Sequence, residues 1–182
     1  MSWDFNVLKV SFDSFSTASF EEFGKTKGYT VLMHPNTNLK EASGFLPIKI
    51  AGDFLPGLND KDFLTGFELF SDPSETTAEL PSKGLLKGLF VKKPQPTSPA
   101  PNEEKYDLTL SCSGSELLEV FMAHLFGLYF IESQGCECFD PQDDIEYKNP
   151  SQIEKTLNEI VDELKVQLFN ETLELHIFQG WD

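Results

Sequence analysis

From Tyr106 to Ile177 the apolar residues switch repeatedly between a period of two and a period of 3.6, and this constrains the fold more than any motif does. Tyr106, Leu108, Leu110 and Cys112 alternate with Asp107, Thr109 and Ser111, as in a strand with one buried face. Leu117, Phe121, Leu125 and Leu128 then recur at helical spacing and predict a helix over 115–134. Ser113 and Glu116 have the spacing of a capping box at its start, and Gly135 suits its left-handed end. Cys136–Phe139 is a short strand, Asp140–Asp144 a turn, and Ile145–Tyr147 a further strand segment. Asn149-Pro150 pairs an N-cap with a proline at the first helical position. Ile153, Leu157, Ile160, Val161, Leu164 and Leu168 form the apolar stripe of a helix over 150–168. Leu173, Leu175 and Ile177 alternate as a last strand. Residues 105–182 therefore read β-α-β-α-β.

The first 91 residues are richer in strands, at 3–12, 29–33, 44–50 and 63–70, with a short helix over 19–23. Pro47 argues for an edge or irregular strand, and Ser71-Asp72-Pro73 should close the strand before it. The expectation is an α+β fold: a mixed or antiparallel sheet with the two main helices packed on it. Forty per cent apolar residues suffice for a core, and 182 residues fit one domain. The run KKPQPTSPAPNEE over 92–104 has four prolines and reads as an exposed loop. It divides the chain into a β-rich half (1–91) and an acidic half (105–182).

Charge is the second constraint. Residues 102–182 carry eighteen acids and four lysines; the other twelve acids are matched by ten lysines, and there is no arginine. A net charge of −16 argues against direct contact with nucleic acid or an anionic membrane, since both need cations to neutralise phosphate. It favours a basic protein partner. No apolar run is long enough to span a membrane, and the N-terminus lacks the basic region of a secretory signal. Cys112, Cys136 and Cys138 then read as reduced thiols in a cytoplasmic protein.

No reaction is written in the motifs. Gly24-Lys25-Thr26 imitates the end of a phosphate-binding loop, but Ser19, Glu21 and Glu22 stand where that loop needs glycine and free N–H groups. Cys136-x-Cys138 with His124 has the wrong spacing for zinc and reads as packed thiols and a buried histidine. Cys112 before a helix start is the alternative of a small cysteine-dependent enzyme, though no base can be placed beside it. Asp140, Asp143, Asp144 and Glu146 cluster in a turn without the ladder of a calcium-binding hand. That turn is either solvated or faces a partner. No catalytic residue, metal ligand or cofactor is assigned.

Gly44-Phe45-Leu46-Pro47 followed by Gly66-Phe67-Glu68-Leu69-Phe70, and Gly135 leading into Phe139-Asp140-Pro141-Gln142, form a second kind of pattern. It resembles small bacterial proteins of the toxin-immunity type, across the middle two-thirds of the chain. The resemblance implies a cytoplasmic inhibitor with no catalytic residues that neutralises a cognate toxin. The acidic residues fit that expectation: a negative surface would plug a nuclease-like cationic cleft. The expected partner surface is Glu132, Glu137, Asp140, Asp143, Asp144, Glu146, Glu154, Glu159, Asp162 and Glu163, with Phe139 and Tyr147 as aromatic anchors. The expected state is a monomer or weak homodimer. A DNA mimic that occupies DNA-binding proteins is the other binding alternative.

Overall fold

A computed structural model describes residues 2–74, 104–114 and 116–181. Its strands are β1 (Ser2–Val10), β2 (Val31–Met33), β3 (Gly44–Ala51), β4 (Asp62–Pro73), β5 (Tyr106–Ser113), β6 (Glu137–Asp140), β7 (Ile145–Tyr147) and β8 (His176–Ile177). Its helices are α1 (Thr17–Thr26), α2 (Leu117–Gln134) and α3 (Pro150–Phe169), with a 3-10 turn over Gly52–Phe54. The strands form one eight-stranded antiparallel sheet in the order β2-β3-β4-β5-β1-β6-β7, and β8 pairs with β4. The fold is α+β. Strands of the two halves alternate: β5 lies between β4 and β1, and β1 between β5 and β6. Both halves also feed one core. The proline-rich stretch lies outside the described residues, apart from Glu104.

Local sequence explains the local geometry. In β1 the apolar phase changes after Val7, and the register shifts between Val7 and Val10, with Lys9 at φ 60°. That bulge lets Phe5, Val7 and Val10 all reach the core. β3 is interior in the strand order, but β2 reaches only as far as Ile48. Pro47 therefore has a neighbour strand on one side only, the setting a strand proline requires. Opposite it, a Cβ on Gly66 would lie 2.1 Å from the Leu46 carbonyl oxygen, so only glycine fits.

Two strand ends differ from expectation. β4 continues through Ser71-Asp72-Pro73 because β5 pairs with it along Glu68–Pro73. The last strand shrinks to His176–Ile177, because Leu173 and Leu175 pack against the core instead.

The helices stack in depth. α2 lies on the sheet over β1, β4, β5 and β6, and α1 and α3 pack against it. Its sequence is apolar all round, with every residue from Phe121 to Ile131 buried, so it needs cover on more than one side. The stripe of α3 supplies part of that cover, and α3 meets the sheet at β7. The close seat of α2 depends on Gly127: a Cβ there would lie 2.5 Å from a Phe5 ring carbon. Gly135 caps α2 at φ 68°, and Asn149 with Gln152 forms a capping box on α3. At the start of α2 the expected box gives way to another arrangement. Glu116 is the N-cap without a side-chain cap bond, and the Glu119 carboxylate, one turn on, accepts the Ser113 N–H at 2.6 Å.

Candidate protein-binding surface

β6 and β7 form a tight hairpin at one edge of the described sheet, with Phe139 opposite Glu146 and Asp140 opposite Ile145. Glu137, Asp143, Asp144 and Glu146 are exposed on it, and Phe139 is half-buried on the face it shares with Glu137 and Glu146. Ile145 adds an exposed apolar side chain, 39% accessible.

Two residues expected at this surface are turned inward. Asp140 is 2% exposed and accepts the backbone N–H groups of Gln142 (2.9 Å) and Asp143 (3.3 Å). Burial pushes its carboxyl up; those N–H groups, the strongest opposing influence, and a Trp3 hydrogen bond pull it back. Asp140 therefore shapes the turn and is not part of the exposed surface. Tyr147 is also 2% exposed, with its ring 5.8 Å from both Phe5 and His124. It is a core residue and not an interface anchor, because the pleat that exposes Glu146 sends its neighbour inward.

The remaining acids divide into three regions. Glu132 and Glu154 both hold Lys27, the C-cap residue of α1, at 2.6 and 2.8 Å. Burial alone would lower the Lys27 pKa, but those bonds and charges outweigh it and hold it above the usual lysine value. This cluster ties three helices together. Glu159 and Asp162 pair with Lys155 (3.4 Å) and Lys165 (2.9 Å), and Glu163 accepts Gln167 at 3.3 Å. They form a solvated outer face on α3, and at 1.5 Å rise per residue Glu163 lies about 20 Å along the axis from Pro150. On the hairpin itself, Glu146 pairs with Lys148 at 2.6 Å. Glu137, Asp143 and Asp144 are the acids of this surface for which no ion pair is recorded among the described residues.

The hairpin continues into a surface that sequence reasoning missed. The described helices pack against one face of the sheet, and the other face carries a cross-strand row of Phe70, Thr109, Asn6, Phe139 and Glu146. A second row holds Phe45, Glu68, Ser111 and Asp4. The Ser111 hydroxyl donates to Asp4, and the Thr109 hydroxyl donates to Asn6 at 2.9 Å, so the centre of the face is internally satisfied. Phe45 and Phe70 are 51% and 45% exposed. Their signal was available: each is a large apolar residue on the polar phase of an alternating strand. A cleft of about 400 Å³ opens among Phe45, Glu68, Ser111, Ser113 and Glu119, and one of about 250 Å³ under Phe139 and Leu8.

Groups weighed for catalysis are packed away. Cys112, Cys136 and Cys138 are buried and free of disulfides. Burial pushes all three thiols up, Cys136 to about 11, the opposite of what a thiolate nucleophile needs. His124 is 2% exposed, lies 4.6 Å from the Phe5 ring, and is pushed down to about 4 by burial. Gly24-Lys25-Thr26 falls at the C-terminal end of α1, the negative end of the helix dipole, where phosphate is disfavoured. Among the described residues, no cluster of three or more His, Cys, Asp or Glu is arranged to hold a metal. No described helix is long and apolar enough to cross a membrane. No protein-family model, curated protein or solved structure matches the chain.

Proposed function

We propose that this chain is a non-enzymatic acidic binding protein whose β6–β7 hairpin engages a cationic protein and blocks its working cleft. One observation carries the reading: the hairpin at the edge of the described sheet exposes Glu137, Asp143, Asp144 and Glu146 and also carries the half-buried Phe139 and the exposed Ile145, in a chain of net charge −16. Carboxylates at the rim steer encounter with a basic surface and reject acidic ones, while a central ring supplies desolvated contact area. The resemblance to toxin-immunity proteins makes a cognate toxin domain, nuclease-like or otherwise active in the cytosol, the partner class. Free, buried thiols suit a cytoplasmic setting. The working state in this reading is a monomer or weak homodimer, since the chain's charge opposes self-association.

The test is capture from cell lysate with two baits, the natural chain and a Glu137→Lys, Asp143→Lys, Asp144→Lys variant. The reading requires one dominant basic protein, bound one-to-one by the natural chain, released by salt and absent from the variant. Equal capture by both baits refutes the hairpin. A spread of unrelated DNA-binding proteins points to a DNA mimic.

A further inference from the structure

The outer face of the sheet carries two aromatic spots with a polar floor between them. Phe70 and Phe139 stand in one cross-strand row with Thr109 and Asn6, so three strand spacings, about 14 Å, separate their positions. At one end Phe70 is exposed and lies diagonal to the exposed Phe45, about 7–8 Å away, since Phe45 stands opposite Glu68. At the other end a recess of about 250 Å³ opens beside Phe139 and Leu8. On the floor the Thr109 hydroxyl already has its acceptor in Asn6, at 2.9 Å, so covering it orphans no hydroxyl.

Carboxylates flank this row on both sides, about 7 Å away along the strands. Glu68 stands in one flanking row, and Asp72 and Glu137 in the other. All three are exposed, and no ion pair is recorded for them among the described residues. Exposed rings call for apolar cover and unpaired carboxylates for cations, so the complementary occupant carries both. An extended peptide fits the dimensions: four residues span about 14 Å, and side chains four residues apart point to the same side of it. A second copy of this chain is a poorer occupant, since two identical acidic faces would oppose like charges.

We propose that this face docks an extended basic segment of a partner protein, with one apolar side chain on Phe70, a second four residues on beside Phe139, and lysines or arginines among them. The inference rests on the reading of the chain as a binder of cationic proteins, and it names the segment such a partner carries. The test uses the full natural chain and a synthetic peptide, Lys-Phe-Lys-Lys-Lys-Phe-Lys, with both ends blocked. A control peptide has the same composition with its two phenylalanines adjacent. Calorimetry reads the affinity, and side-chain oxidation reads the exposure of Phe70 and Phe139. The spaced peptide should bind about tenfold tighter than the control, about the worth of one aromatic contact, and should shield both rings together. Phe70→Ser, which alters an exposed ring and keeps the core, should erase that preference. Equal affinity for the two peptides overturns the inference, because charge alone would then account for binding. A Phe70 already shielded in the free chain overturns it too. So does protection of Phe139 with Phe70 as reactive as before, an outcome that leaves the hairpin reading standing. The hairpin reading fails separately, when its lysine variant captures the same protein as the natural chain.

Discussion

Acidification should unload the core at a single histidine. His124 sits on α2, stacked 5.0 Å from Trp3 and tilted against Phe5 at 4.6 Å, with Nδ1 2.9 Å from the Val120 carbonyl and Nε2 without a partner. Its pKa falls from 6.5 to about 4 in the folded chain, so the unfolded chain binds the proton more readily. Its contribution to stability is intact above pH 6.5 and lost as pH falls from there towards 4. A shift of this size is worth about 3 kcal/mol, at 1.36 kcal/mol per unit. Carboxylates titrate in the same range, so the informative quantity is the difference between the natural chain and His124→Leu. Urea denaturation followed by tryptophan fluorescence, from pH 7 to pH 4, measures it. The natural chain should lose about 3 kcal/mol more than the variant over that range. Parallel pH profiles would refute the placement of a neutral histidine in the core.

Three further outcomes follow from the packing. Gly127→Ala should cost about 1–3 kcal/mol in the same assay at pH 7, because the added methyl meets the Phe5 ring and the Cys138 sulfur; an unchanged midpoint would mean that α2 sits further from the sheet. The three thiols should resist alkylation at neutral pH until the chain unfolds. Their raised folded pKa values also predict that stability falls as pH rises from 9 towards 11. Rapid labelling of the folded chain would revive a cysteine chemistry.

The helices and most strands were legible because short-range physics sets them. Gly135, Asn149 and Pro150 punctuate where their backbone preferences dictate, and the Ile153–Leu164 stripe is the buried one. Depth was not legible. The apolar residues of α2 fit a one-sided stripe as well as a helix buried all round, and only the tertiary stack separates the two. The candidate surface was half legible for a related reason. Charge count marks Asp140 as it marks Asp143, yet one closes a turn and the other faces solvent, a distinction set by the pleat and the turn. Lys27 is remote in sequence from Glu132 and Glu154, so its capture of both could not be read from spacing. Phe45 and Phe70 carried a readable signal, an apolar residue out of phase with its strand.

The most direct test of the account is a hydrogen-exchange and side-chain oxidation footprint of the chain with the basic protein it captures. The account predicts protection along Glu137–Tyr147, centred on Phe139 and Ile145, with the outer face of α3 unchanged. Protection confined to α3 around Asp162 and Glu163, with the hairpin as reactive as in the free chain, would contradict it.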